Sequence, residues 1–321
     1  MRILSGIQPS GKLHLGNYFG MMKPALELQG QGETFLFIAD YHALTTVTDP
    51  AALRAASRDV ALDFLACGLD PQRTVFFRQS DVPEVTELSW LLSVVTPLGL
   101  LERCHSYKDK IARGLAPSHG LFAYPVLMAA DILAYQSDVV PVGRDQKQHV
   151  EVARDLAIKF NNRAGAEVFR LPEARIRDEV AVVPGLDGQK MSKSYNNHIE
   201  LFGDEAETAA RVMRIVTDSK PLEAPKDPAA CTVFALYRLL AAPEEQEELA
   251  AAYRRGGFGY GQAKQSLLAK LRAYFQPFRE KRRELEGRPD YVQSVLREGA
   301  ARARAEAQRT LRRARQAVGL D

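Results

Sequence analysis

Four short apolar runs, at residues 2–7, 34–39, 74–78 and 139–142, are separated through the first half of the chain by stretches of helical periodicity. This alternation limits the possible folds more than any other feature, because strands and helices taken in turn pack as a parallel sheet with crossover helices on its faces. The turn at 8–11 ends the first strand and feeds a helix expected from about 16 to 29. Asp49 followed by Pro50 supplies an N-cap and a first-turn proline for a helix running to Cys67 and stopping at Gly68. Residues 83–119 read as helical throughout and break the alternation, so they form an insertion of the kind that carries a partner surface. After Pro184 no strand is expected, and helical patterns fill 205–216, 231–241, 244–255, 264–286 and 290–318.

A chain of 321 residues, 46% hydrophobic and 26% charged, has enough apolar material for a large core and divides most naturally into two domains. The net charge of +3 conceals an asymmetry: residues 270–315 hold 14 Lys and Arg against 6 Asp and Glu, which makes that segment +8 and the remainder −5. A basic helical lobe of this kind suits a polyanion, with Arg302, Arg309 and Arg313 as candidate phosphate contacts, although an amphipathic helix facing solvent would have the same composition. Cys67, Cys104 and Cys231 are an odd set without CxxC spacing, so neither a disulfide framework nor a structural zinc site is expected, and a reducing cytoplasm fits. The strand-like start leaves no room for a signal peptide, and no apolar run approaches a membrane span, so a soluble chain that is neither secreted nor inserted is expected.

Two segments carry chemistry. Lys190-Met191-Ser192-Lys193-Ser194 stands in a loop rich in Gly and Asp, and Pro9-Ser10-Gly11-Lys12-Leu13-His14-Leu15-Gly16-Asn17 follows the first strand. Two lysines separated by small residues form a clamp able to close over a polyphosphate, while a strand-turn-helix with a histidine at the turn presents N–H groups and an imidazole to the same phosphates. Either segment alone has an ordinary explanation, as a solvated basic loop or a surface histidine in a turn; together they indicate ATP. The chain has no GxxxxGK[ST] and no GxGxxG to compete for phosphates, and Gly256-Gly257-Phe258-Gly259-Tyr260-Gly261 precedes a long helix rather than following a strand, which makes it a turn between helices.

In order and separation the two segments resemble the HIGH and KMSKS signatures of class I aminoacyl-tRNA synthetases. Three further stretches narrow the resemblance to the bacterial tryptophanyl-tRNA synthetase family: Ser5 to Gly11, Tyr124-Pro125-Val126-Leu127-Met128-Ala129-Ala130-Asp131-Ile132-Leu133, and Val140 to Glu151 with its core Val142-Gly143-Arg144-Asp145-Gln146. Val216-Thr217-Asp218-Ser219 extends it into the helical half. The resemblance implies a Rossmann-like parallel-sheet catalytic domain over 1–185, with the helical insertion at about 83–119 as candidate dimer interface, followed by a mostly α-helical C-terminal domain over 186–321 that binds the tRNA anticodon. It implies formation of tryptophanyl-adenylate from L-tryptophan and ATP, transfer to tRNA(Trp), a homodimer, and no membrane or DNA partner. His14, Lys190 and Lys193 become the catalytic set. Gln8, Pro9, Ser10, Gly16 and Asn17 line the ATP cleft, with Gly143, Arg144 and Asp145 on the ribose and adenine side, Val182 and Val183 offering backbone to adenine, and Met191, Ser192 and Ser194 completing the loop. Tyr124, Gln146 and His42 surround the amino acid's ammonium and carboxylate, and Leu4 forms part of an indole wall.

The residues support the substrate on their own terms. Tyr124, Met128 and Asp131 recur at helical spacing and share one face. An aspartate on an otherwise apolar helix requires a partner, inside the fold or on a ligand. Indole offers one N–H and a broad apolar face, which Asp131 and Met128 match with one acceptor and a polarizable wall. Magnesium is expected to accompany ATP through its phosphates, and no structural metal is expected. The chain departs from the family pattern at Arg144, where an acidic residue is usual, at Leu4, where an aromatic is common, and at Tyr41, which replaces a glutamine. A tyrosine-specific class I synthetase and a HIGH-superfamily nucleotidyltransferase are the alternatives; the Met128/Asp131 face disfavours the first and the basic helical lobe the second. A non-catalytic relative serving as a binding module is disfavoured by the intact His14, Lys190 and Lys193.

Overall fold

Five strands, β1 Arg2–Ile7, β2 Glu33–Ile38, β3 Thr74–Arg78, β4 Val139–Pro141 and β5 Glu173–Arg175, form one sheet in the order β3-β2-β1-β4-β5. Every pairing is parallel, with Leu4 beside Phe35, Phe35 beside Val75, Ile3 beside Val139 and Val139 beside Glu173. The computed structural model describes residues 1–112, 114, 118–176 and 182–321, and the side chains of 105, 106, 109, 110 and 145 lie outside that description. Four strands fall where the apolar runs put them. β5 does not announce itself, because an edge strand reading Glu-Ala-Arg is largely exposed and has no apolar run to show.

Successive strand residues point to opposite faces, so each strand supplies two cores. Leu36, Ile38 and Phe76 face one hydrophobic cluster, built with the helix Pro50–Ala66 and the helices beyond residue 200. Phe35, Phe37, Val75 and Phe77 face the other, covered by the helices Glu84–Ser93, His119–Ala134 and Lys147–Ala164. The helix Pro50–Ala66 begins as expected, with the Asp49 carboxylate accepting from the N–H groups of Ala51 at 2.9 Å and Ala52 at 3.3 Å. The insertion forms the helices Glu84–Ser93, Leu98–Glu102 and His105–Ala112, and its residues 113 and 115–117 lie outside the described set.

The helix expected at 16–29 is three pieces: Leu15–Asn17, a π-helical turn Tyr18–Met22, and Lys23–Glu27. Pro24 has no N–H to give the α-helical bond back to Gly20, and the wider turn absorbs that missing donor. In the helical half, Glu205–Met213, Thr232–Arg238, Pro243–Arg255, Tyr260–Glu286 and Pro289–Val318 match the expected helices. Gly256 and Gly257 turn the chain between two of these at φ of 78° and 73°.

The last helix joins the two faces. Val292, Val295 and Leu296 lie in the first cluster, and Ala300, Ala303, Ala307, Leu311 and Ala314 in the second. Between them Gly299 crosses the open edge of β3 so closely that a Cβ there would sit 1.8 Å from the Phe76 carbonyl oxygen. An unpaired strand edge is thereby covered by a helix. The arginines of this helix largely engage the body of the protein: Arg302 bonds the Pro71 carbonyl at 3.0 Å, Arg304 pairs with Glu84 at 2.8 Å, Arg309 and Arg2 both reach Glu306, Arg313 bonds the Glu167 carbonyl, and Arg315 pairs with Glu87. No helix of the described residues is long and apolar enough to cross a membrane.

Candidate active site

The chain runs β1, β2, β3 in one direction across the sheet and then returns to place β4 on the other side of β1. The strand order reverses there, and in an open parallel sheet the crevice beyond the carboxyl ends of the strands at such a reversal is where ligands bind. Four of the strands lead to that edge: β1 runs into Gln8-Pro9-Ser10, β2 into the short helix with His42, β3 into Gln79, and β4 into Gly143 and Arg144.

On one side of the crevice His14 heads the helical segment in an extended conformation. Its Nδ1 accepts the Asn17 main-chain N–H at 3.3 Å, and the Asn17 side-chain oxygen accepts the His14 N–H at 3.1 Å. With Nδ1 acting as acceptor, the neutral ring carries its proton on Nε2 and keeps one donor for a ligand. Burial, with Lys193 and His198 nearby, depresses this imidazole to about 4. The downstream loop is tied directly to this turn. Leu15 N–H donates to the Ile199 carbonyl at 3.0 Å and Leu201 N–H to the Leu13 carbonyl at 2.8 Å, setting His14 opposite Glu200. Gly16 permits the approach, since a Cβ there would stand 2.9 Å from the His14 ring and 3.3 Å from Met191 Cβ.

Lys193 reaches across to donate to the Ser10 carbonyl at 3.1 Å, and burial lowers its affinity for the proton. Lys12 pairs with Glu200 at 3.1 Å. The loop between the lysines is braced from within: Met191 is buried and its N–H donates to the Val183 carbonyl at 2.9 Å, while Ser192 Oγ accepts the Ser194 N–H at 3.2 Å. Lys190 is exposed. Asn197 holds this loop together, accepting from Ser192 N–H at 2.8 Å and donating to Asp187 and to the Lys190 carbonyl. Arg211 fixes the exit through the Asn196 side chain and the His198 carbonyl, 3.2 and 3.0 Å away. An imidazole and an ammonium therefore share one wall, the pairing of donors that an anion would require.

On the other side Asp131 is 1% exposed and accepts three hydrogen bonds, one from His42 Nε2 at 2.8 Å and two from Gln79 Nε2 at 2.9 and 2.8 Å. Burial raises the affinity of this carboxyl for a proton, and the bonds from His42 and Gln79 oppose that shift. Gln79 also accepts the Tyr41 N–H at 3.1 Å, and Gln8 donates to the His42 carbonyl at 2.8 Å. Tyr124 stands edge-on to His42, ring centroids 6.2 Å apart, and its hydroxyl bonds His149 at 2.7 Å. Leu4 is buried in the cluster against which Met128 packs. A carboxylate offers about four acceptor positions, so three bonds leave Asp131 one for an incoming N–H.

The structure thus brings together Ser10, His14, Gly16, Asn17, Met191, Ser192, Lys193 and Ser194 on one side, and His42, Tyr124 and Asp131 on the other, with Gln8 at the end of β1 joined to the second group through the His42 carbonyl. Pro9 is buried behind Ser10, Val183 is buried and Val182 exposed. Gly143, Arg144 and Gln146 lie at the end of β4, and the Asp145 side chain is outside the described residues. Sequence patterns do not mark Gln79, Asn197, His198 or Arg211. A polar residue closing an apolar strand is the one signal for Gln79; the other three have none.

Residues 1–276 match the family of class I tRNA synthetases for W and Y. The chain is 56% identical over 320 residues to the tryptophan–tRNA ligase of Rhodopirellula baltica, covering all of both chains. It is 55% identical to that of Fusobacterium nucleatum, covering 99% of this chain and 98% of the other. Among solved structures, the tryptophanyl-tRNA synthetase of Campylobacter jejuni, complexed with ADP and tryptophan, is 51% identical and superposes over the whole of both chains with a TM-score of 0.94.

Proposed function

The chain belongs to the class I tRNA synthetases of the tryptophan and tyrosine family, and from that membership we propose that it activates L-tryptophan with ATP to tryptophanyl-adenylate and transfers the tryptophanyl group to tRNA(Trp). The observation that carries the choice of amino acid is Asp131, a buried carboxylate with one acceptor position open on a helix face shared with Met128. Indole brings the single N–H that such a site requires, and an analogue unable to make that bond leaves a desolvated carboxylate under-satisfied. Tyr124, Gln146 and His42 hold the ammonium and carboxylate, and Leu4 and Met128 contribute apolar wall.

Attack of the tryptophan carboxylate on the α-phosphorus places negative charge on the phosphoryl oxygens and on departing pyrophosphate. His14 donates from Nε2 toward these phosphates, Lys193 approaches from the same wall beside Ser10, and Lys190 joins when the loop draws in over the nucleotide. The Gly143–Gln146 stretch and the Val182-Val183 backbone take the nucleoside end, with Arg144 supplying a cation there. Magnesium, held by phosphate oxygens of ATP, would add charge compensation at the leaving group. The phosphate wall offers it no carboxylate cage: among the described residues no group of three or more His, Cys, Asp or Glu has metal-binding geometry. Three buried free cysteines suit a reducing cytoplasm as the site of action.

Pyrophosphate exchange run with each amino acid tests the reading. Exchange should depend on tryptophan, with tyrosine poorer by about two orders of magnitude or more; comparable exchange with tyrosine overturns it. A second copy of the chain is the proposed partner of the insertion, where Trp90, Val94 and Leu98 are 70%, 56% and 68% exposed. Large apolar side chains exposed together mark an interaction surface. Trp90→Glu should convert a dimer to a monomer in light scattering, and a parent protein that is already monomeric at micromolar concentration refutes the pairing.

A further inference from the structure

Among the described residues one imidazole close to the phosphate wall has no role in the chemistry proposed so far. The His198 ring lies 5.8 Å from that of His14, centroid to centroid, tilted by 51°. Its Nδ1 is buried without a hydrogen-bond partner among the described residues. Buried polar atoms are nearly always satisfied, and one left open beside a ligand crevice is a place for a ligand atom. We propose that His198 is a second imidazole of the triphosphate site, donating a ring N–H to a phosphate oxygen of bound nucleotide.

The inference rests on the nucleotide site described under Proposed function, and several observations give His198 its place there. The segment carrying it is held on both sides, by Leu15 N–H on the Ile199 carbonyl at 3.0 Å and by Arg211 on its own carbonyl at 3.0 Å, so the ring is presented from a fixed backbone. The charged groups that face it are Arg211 and Glu207 from the helix Glu205–Met213 and Lys193 and Glu200 from the loop and its exit, with His14 across the gap. Burial first, and then the cations, hold His198 below the ordinary imidazole range, against the opposing pull of the two glutamates. A neutral ring retains one N–H donor and brings no charge that would repel Lys193. Lys193 holds its ammonium 3.1 Å from the Ser10 carbonyl in the turn that carries His14, on the same wall as the two rings. An anion seated against His14 Nε2 and Lys193 therefore meets His198 as its next neighbour.

The competing explanation is that His198 is a flat ring filling space beside His14, and substitution separates the two. His198→Phe keeps the ring and removes both nitrogens, His198→Asn restores an N–H near the Nδ1 position, and His198→Gln restores one near Nε2. In tryptophan-dependent pyrophosphate exchange, His198→Phe should lose about tenfold to a hundredfold in kcat/KM for ATP, the order expected for one hydrogen bond to a charged group. The KM for tryptophan and the melting temperature should stay at parental values, and either Asn or Gln should recover most of the loss. A stable His198→Phe enzyme with ATP kinetics within twofold of the parent overturns the proposal. Equal loss in all three variants does so as well. Should the Phe variant fold poorly, histidine-ring NMR of the parent answers directly: a non-hydrolysable ATP analogue should shift the His198 resonances, identified by their disappearance in His198→Asn, and an unmoved ring refutes the contact. A parent enzyme without tryptophan-dependent exchange would instead count against the nucleotide site as a whole.

Discussion

At the scale of single residues, the amide of Gln79 joins two parts of the proposed amino-acid site. Its Nε2 donates to both oxygens of Asp131 and its Oε1 accepts the N–H of Tyr41, the residue before His42, so one buried side chain aims the carboxylate and anchors the turn beside it. Gln79→Leu removes three hydrogen bonds at similar volume and leaves Asp131 with His42 alone. The expected result is a rise in KM for tryptophan of about fivefold to a hundredfold, about 1–3 kcal/mol, with KM for ATP little changed. Exchange kinetics with each substrate varied in turn measure this, and an unaltered tryptophan KM in a folded variant would show that His42 suffices to orient the carboxylate. His14, Lys193 and Asp131 were legible in the sequence because each belongs to a spaced pattern with a chemical meaning. Gln79, Asn197 and Arg211 were not, because each is a lone polar residue whose partners arrive from elsewhere in the chain, such as the Asp131 carboxylate and the Asn196 side chain.

Among the elements, the helix Pro289–Val318 depends on one missing side chain where it crosses β3. Alanine for glycine in an exposed helix interior normally stabilises by about 1 kcal/mol. Gly299→Ala should do the reverse and cost about 1–3 kcal/mol or more, because its methyl would collide with the fixed backbone of Phe76. Denaturant unfolding gives the sign, and stabilisation would mean that the helix stands off the sheet. A second contact between elements is ionic: Arg282 of the helix Tyr260–Glu286 pairs with Asp59 at 2.8 Å and Asp63 at 2.7 Å of the helix Pro50–Ala66, and with Glu286. Burial pushes the Asp63 carboxyl up to about 6 from its ordinary 3.8, against the pull of Arg282. A carboxyl that holds its proton more tightly when folded favours the native state most below pH 3.8, and this contribution fades as pH rises through 6. Asp63→Asn should therefore flatten the loss of stability across that interval, by an amount on the order of 2–3 kcal/mol. Melting curves for parent and variant at pH 4 and pH 7 test it, and parallel pH profiles would refute it. The helices were legible from periodicity and capping residues. The π-helical turn and the edge strand β5 were not, since one follows from a missing donor at Pro24 and the other from a sheet edge waiting for any extended segment.

Across the whole molecule, the basic surplus of residues 270–315 divides by what each cation touches. Arg302, Arg304, Arg309, Arg313 and Arg315 bond to the protein itself, whereas Arg272 and Arg283 are exposed and make no ion pair among the described residues. The latter two lie about three turns apart on one helix and so share a face. Reversing both to glutamate should weaken tRNA binding and reduce the salt slope by about 0.7–0.9 for each phosphate no longer neutralised, while tRNA-independent pyrophosphate exchange stays at the parental rate. Arg304→Ala and Arg315→Ala should act on melting temperature more than on tRNA affinity. Filter binding across a salt series separates the sets, and equal effects on tRNA from both would erase the distinction. By itself the sequence determined the alternating α/β class, the places of four strands and most helices, the two segments proposed to hold phosphate, and the helix face with Asp131, because periodicity, capping and motif spacing act within a few neighbouring residues. Only the tertiary structure decided that Gln79 and His42 hold Asp131, that the turn at His14 and the loop at Lys193 share backbone hydrogen bonds, and that the last helix wraps the edge of β3. Those are contacts between residues far apart in the chain, and their partners are selected by which surfaces the packed sheet leaves to be covered and which buried polar atoms remain to be satisfied.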